Sequence, residues 1–144
     1  MVRKAEKNDL RTLANLAVLL WSDNSVYELA DEFSEIISKR NTQFFLKFEN
    51  DIPVGFAQCR LRYDYVEGTK TTPVGYLEGI YIKEGYRNKG YAKELLAACE
   101  VWVKDKGCRE FASDCEIDNA GSFHFHKAMG FTEANRIICF TKKV

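Results

Sequence analysis

Residues 83 to 93 read Lys-Glu-Gly-Tyr-Arg-Asn-Lys-Gly-Tyr-Ala-Lys, and they set four cations, Lys83, Arg87, Lys89 and Lys93, against one acid, Glu84. An apolar run precedes this segment and a long amphipathic pattern follows it, so it joins a strand to the start of a helix. Backbone N–H groups in a first helical turn have no intrahelical acceptor and attract anions. Gly90 lets an anion come close to the backbone. These residue types at this spacing ask for a phosphate or pyrophosphate, with a solvated cationic helix cap as the alternative. Gly85 and Gly90 have the spacing of half a P-loop, but Tyr91-Ala92 stands where Lys-Ser/Thr must follow. An NTPase would then lack both its phosphate lysine and its magnesium hydroxyl. The dinucleotide fingerprint GxGxxG is absent as well.

The elements around this loop can be read from periodicity. Asn8 or Asp9 caps a helix in which Leu10, Leu13, Ala14, Ala17, Leu20 and Trp21 recur at helical spacing. A second short helix covers 27–38. Residues 43–49 and 53–65 read as a hairpin turning at Asn50-Asp51. Residues 74–82 form another strand. Its interior glycine, Gly79, marks a bulge or a close helix contact. The helix over 88–106 buries Ala92, Leu95, Leu96, Cys99, Trp102 and Val103 and ends at Gly107. A strand over 109–115, a helix from Asp118 or Asn119 to Met129, and a final strand over 131–141 complete the pattern. Strand, helix and strand across 74–115 make a β-α-β unit, which joins parallel strands. The fold class is α/β (α+β), a mixed sheet with helices on both faces. Asp114 ends its strand at the carboxyl edge of the sheet, where α/β folds hold ligands.

Composition narrows the function. The chain of 144 residues is 46% hydrophobic and 29% charged, as a single globular domain spanning 1–144 would be. Lys and Arg total 21, and Asp and Glu total 21, so a broad nucleic-acid surface is not expected. Residues 23–35 carry five acids and no base, and residues 110–118 carry four. Such charge suits a polycationic partner. For Glu28 to Glu35 a solvated helix face is the preferred reading. The five cysteines make no CxxC pair, and Cys59, Cys99 and Cys139 lie in apolar surroundings. They read as reduced, buried thiols of a cytoplasmic protein, and no metal site is expected. The start lacks a secretion signal, and Leu13 to Trp21 is too short to span a bilayer.

Arg87-x-x-Gly90-x-Ala92, after a strand and opening a helix, resembles the acyl-CoA pyrophosphate loop of the GNAT N-acetyltransferase superfamily. Asn119 and the stretch His126-Lys127-Ala128-Met129-Gly130-Phe131 resemble that family's Asn…Tyr-x-x-x-Gly-Phe pattern. Leu20-Trp21-Ser22, Asp64-Tyr65-Val66-x-Gly68, Thr72-Pro73-Val74, Leu77-Glu78-Gly79-Ile80-Tyr81, Glu110-Phe111-Ala112-Ser113-Asp114 and His126-x-x-x-Gly130-Phe131 are together similar to one branch, the aminoglycoside 6′-N-acetyltransferases. The resemblance runs nearly end to end.

The resemblance implies a mostly antiparallel sheet with a central, splayed parallel pair. It implies direct transfer of an acetyl group from acetyl-CoA to the 6′-amino group of aminoglycosides. Acetylation of another amine (a polyamine, peptide or metabolite) and a non-catalytic acyl-CoA-binding module are the alternatives. Backbone groups of Ile80, Tyr81 and Ile82 would hold the pantetheine arm, with an N–H near Ile80 polarising the thioester carbonyl. Arg87, Asn88, Lys89, Gly90, Tyr91 and Ala92 would wrap the pyrophosphate, and Asn119 would bond the pantetheine from across the cleft. Trp21, Asn24, Tyr65, Glu78, Asp114 and Asn135 would contact the acceptor. Glu78 would orient its ammonium and pass a proton away. His126, where the superfamily usually has tyrosine, would protonate the leaving thiolate. Related enzymes carry an acid at the place of Asn135. A homodimer with residues 131–141 at its interface is also implied.

Overall fold

The computed structural model describes all 144 residues. The helices Leu10–Leu20 (α1), Val26–Ile36 (α2), Tyr91–Asp105 (α3) and Ala120–Ala128 (α4) accompany the strands Val2–Lys4 (β1), Thr42–Glu49 (β2), Ile52–Arg62 (β3), Val74–Ile82 (β4) and Phe111–Ala112 (β5). The sheet order is β1-β2-β3-β4-β5. All neighbours are antiparallel except β4 and β5. This is the mixed, mostly antiparallel sheet expected.

The two helical layers follow from the pleat. Phe44, Leu46 and Phe56 face α1 and α2, where they meet Leu13, Leu16, Leu29 and Phe33. Phe45, Ala57, Cys59, Leu61 and Leu77 face the other way and bury Leu95, Leu96, Cys99, Trp102 and Val103 of α3. Each such large side chain contributes about 1.5–3 kcal/mol by leaving water. The β2–β3 hairpin turns on Asn50 and Asp51, both with positive φ (49° and 63°), as a two-residue turn between twisted strands requires.

Three expectations change. The strand over 109–115 contracts to Phe111–Ala112. The strand over 131–141 is absent, and residues 132–144 are exposed throughout. Its alternating residues have no ladder to join within the chain, because β5 is two residues long. Cys139 is therefore exposed, whereas Cys108 joins Cys59 and Cys99 in the core. β1 was missed. It is too short to show a period and is held by antiparallel pairing to β2. No helix is long and apolar enough to cross a membrane.

Candidate active site

β4 carries an irregularity that turns consecutive residues to one side. Gln58 pairs with Gly79 and Cys59 with Leu77, so Glu78 is an extra residue with no partner on β3. A bulge of this kind interrupts the alternation of faces. Glu78 and Gly79 both turn toward α1. A Cβ at Gly79 would stand 2.5 Å from Trp21 Cζ2, so glycine is needed for that close approach. The bulge and the helix contact, alternatives in the sequence, occur side by side.

On its other edge β4 parts from β5. The parallel ladder consists only of Gly75 with Phe111 and Tyr76 with Ala112, so the edge of β4 is open beyond Tyr76. Lys83 N donates to Val54 O at 2.9 Å. Alternation along an antiparallel ladder then turns the backbone of Tyr81 to β3 and that of Ile80 and Ile82 to the open edge. The expected set of three is therefore two, since the groups of Tyr81 are already in the ladder. Arg87 Nε donates to Ile82 O at 2.8 Å, which leaves the N–H groups of Ile80 and Ile82 and the Ile80 carbonyl.

A cleft of about 410 Å³ opens on the α1 and α2 face, lined in part by Trp21, Asn24, Glu32, Gln58, Arg60 and Glu78. Trp21 packs edge-on against Phe56, with ring centroids 5.7 Å apart, so it is both core and wall. Asn24 Nδ2 donates to Trp21 O at 3.4 Å. Glu32 lines the cleft from an exposed position on α2, and Glu28, Asp31 and Glu35 are exposed beside it, consistent with the reading of that stretch as a solvated helix face. Arg62 binds Glu78 as a fork: Nε lies 3.1 Å from Oε1, and Nη2 lies 2.9 Å from Oε1 and 3.0 Å from Oε2. Arg60 Nε adds a weaker contact at 3.7 Å. The Arg62 guanidinium lies 3.5 Å from the centroid of Tyr76, and the Tyr76 hydroxyl donates to Asp114 Oδ2. Asp114 is thus joined to Glu78 through Tyr76 and Arg62. Tyr65 and Asn135 stand apart from the cleft walls. Tyr65 is 76% exposed, and Asn135 Nδ2 donates to Glu67 at 2.7 Å.

The cationic loop has a different construction. No backbone N–H from Arg87 to Lys93 donates to an acceptor within the chain, since α3 begins its own bonding with Glu94 N to Gly90 O at 3.1 Å. Asn88 (φ 63°) and Gly90 (φ 82°) take left-handed conformations that curl this row of donors into one concavity. A Cβ at Gly90 would meet nothing within 4 Å. An anion fits these vacant donors. The side chains are less available than their charges suggest. Lys89 Nζ pairs with Glu49 Oε1 at 3.0 Å, and the Tyr91 hydroxyl donates to the same oxygen. Those two bonds, Tyr91's first, hold the Glu49 carboxyl below its ordinary range.

His126 stands beside the splay. Its Nδ1 lies 2.7 Å from Ser122 O and its Nε2 lies 2.8 Å from Ser113 Oγ. The Ser122 carbonyl can only accept, so Nδ1 bears the proton of the neutral ring and Nε2 accepts from Ser113. Ser113 Oγ is also 3.3 Å from Leu77 O, at the point where β4 and β5 separate. Asn119 caps α4, its side chain accepting from Ser122 N at 3.1 Å. Only its Nδ2 is left as a donor.

The model of the acetyltransferase (GNAT) family matches residues 10–131. The chain belongs to that family. This acetyltransferase is 34% identical to the aminoglycoside N(6′)-acetyltransferase type 1 of Acinetobacter haemolyticus, over 99% of this chain and 98% of that protein. It is 37% identical to the protein of the same name from Stenotrophomonas maltophilia, over 96% and 90%. The solved structure of AAC(6′)-Iy in complex with the bisubstrate analogue CoA-S-monomethyl-acetylneamine superimposes with a TM-score of 0.95 at 34% identity, covering 100% of this chain and 98% of that one.

Sequence reasoning about the acetyltransferase missed Arg62, Tyr76, Ser113, Glu32 and Glu49. Arg62 and Tyr76 lie on neighbouring strands, and a register displaced by one bulge decides that they meet. Only the acidity of residues 23–35 gave a sign of Glu32. Ser113 was quoted as part of a motif, with no signal that its hydroxyl reaches His126.

Proposed function

We propose that this chain transfers the acetyl group of acetyl-CoA directly to the 6′-amino group of aminoglycosides, in the cytoplasm, and so confers resistance to them. One observation carries the reading: a row of vacant backbone donors and an open strand edge lead to a carboxylate at a cleft. The curated relatives and the bisubstrate-analogue complex of a related enzyme support it.

The concavity of Arg87, Asn88, Lys89, Gly90, Tyr91 and Ala92 holds the pyrophosphate through backbone N–H groups. Ile80 and Ile82 bond the pantetheine arm as an added strand would, and Asn119 Nδ2 bonds it from the far side. The Ile80 N–H faces the thioester oxygen. A donor so placed can be worth about 10²–10³ in rate. Glu78 binds the acceptor ammonium and relays one proton to water, so that a neutral amine attacks the thioester carbon as the carbon–sulfur bond breaks. The second proton leaves the nitrogen of the forming amide for water. The leaving thiolate takes the Ser113 hydroxyl proton as that oxygen takes one from Nε2 of His126, which must carry protons on both ring nitrogens for this step and regains its proton from water. Holding the two reactants together supplies much of the acceleration. Trp21, Asn24 and Asp114 hold the rest of the acceptor, while Tyr65 and Asn135, which stand apart from the cleft, do not reach it in this conformation.

The arm over 131–144 supports a homodimer. Ile137, Ile138 and Phe140 are 67%, 81% and 87% exposed, and the outer edge of β5 has no neighbour. A second copy satisfies both by pairing the arms as strands.

Thiol release from acetyl-CoA, followed with a colorimetric reagent across kanamycin, tobramycin, spermidine and peptides, tests the activity. Turnover with the two aminoglycosides is expected. Turnover confined to peptides or spermidine, or no calorimetric binding of coenzyme A, overturns the reading.

A further inference from the structure

We infer that Arg62 and Tyr76 are positioning residues that lock the two acceptor-side carboxylates, Glu78 and Asp114, at a fixed separation, and so set the enzyme's preference for a rigid acceptor with more than one ammonium group. The inference deepens the proposed function and rests on it.

The geometry joins four side chains in series. Glu78 receives the fork of Arg62, which uses both carboxylate oxygens at 2.9–3.1 Å. A fork of this kind fixes the plane of a carboxylate as well as its position. The guanidinium in turn lies on the Tyr76 ring at 3.5 Å, a stack that only a planar cation makes well. Tyr76 is 6% exposed and cannot swing away. Its hydroxyl donates to Asp114. Burial first, and then Asp114, push the phenol up from its ordinary value, so it remains a donor at any working pH. The Glu78 side chain keeps 19% exposure, and its unused lone pairs face the cleft. Neither carboxylate is free to follow a flexible acceptor. Each is held from behind while its open side faces solvent.

Arg62 and Tyr76 touch different carboxylates, so the lock can be loosened from either end. Arg62→Gln removes the fork and the stacked cation and keeps a polar, shorter side chain. Tyr76→Phe keeps the stack and releases Asp114 alone. Tobramycin kinetics and calorimetry on the full chain read the outcome. Arg62→Gln is expected to raise the tobramycin KM about tenfold or more, the loss of a charge-assisted hydrogen bond, with kcat lowered less than KM is raised. Arg62→Lys recovers only part, because an ammonium cannot fork or stack. Tyr76→Phe gives a smaller rise of about fivefold. Combined with Arg62→Gln it is expected to cost less than the product of the two, since they belong to one series. Coenzyme A affinity stays within about twofold in every variant, because the series makes no contact with the 87–93 loop, and this also reports that the fold is intact. An unchanged or lowered tobramycin KM in Arg62→Gln overturns the inference, as does full recovery by Arg62→Lys or strict multiplicativity of the pair. Wild-type turnover of tobramycin is the separate arm that tests the function itself. Its failure condemns that reading, and the lock with it.

Discussion

The 87–93 loop and the Glu78–Arg62–Tyr76–Asp114 series sit on neighbouring stretches of the same sheet and are built by opposite means. The loop is one contiguous segment whose useful atoms are backbone N–H groups, shaped by two left-handed residues and the start of α3. Its side chains are partly engaged elsewhere, Lys89 and Tyr91 by Glu49. The carboxylate series takes residues from β3, from β4 and from beyond β5, and its useful atoms all belong to side chains. A site made from backbone tolerates changes of side chain and is broken by changes of conformation. A site made from side chains behaves the other way round.

The sharpest break between the two comes from Glu78→Gln. Losing the only cleft carboxylate on β4 is expected to lower kcat/KM for tobramycin by about 100-fold, or about 2.7 kcal/mol. Calorimetric affinity for coenzyme A should stay as it was. If both constants fall together, the regions are not separable. Gly90→Ala strikes the other side. A side chain at φ 82° costs about 1–2 kcal/mol and sets a methyl group among the vacant donors. The KM for acetyl-CoA is expected to rise about tenfold, with the aminoglycoside KM unmoved. The least effect is expected from Lys89→Ala. Glu49 already neutralises that ammonium, and the exposed charge adds little, so the KM for acetyl-CoA should change by less than about threefold. A larger rise would mean that Lys89 leaves Glu49 for the phosphate and that the loop works through side chains after all.

The same contrast explains what could be read in advance. The loop was legible because its signal is local: cations, two glycines and a helix start lie within eleven consecutive residues. The helices and the hairpin were legible because burial imposes periods of 3.6 and 2 on the chain. β5 and the arm over 131–141 were misjudged for a physical reason. A strand pattern records which residues could face a core, while a strand exists only where a neighbour supplies its hydrogen bonds. β5 offers two residues of ladder, and the arm has no strand to pair with inside the chain.

Glu78 and Asp114 were expected as separate acceptor contacts, and the resemblance that named them held no sign of what joins them. That junction depends on one extra residue in β4, which shifts its register against β3 and turns Glu78 toward the cleft beside Gly79. The amino-acid sequence alone marked the cationic loop, the two helical layers and the β-α-β crossover, since each leaves its trace in consecutive residues or in a period of 3.6 or 2 along the chain. Only the tertiary structure decided which charges are free and which are already paired. Ion pairs and stacking are contacts across strands, and a displacement of one residue is enough to make or unmake them.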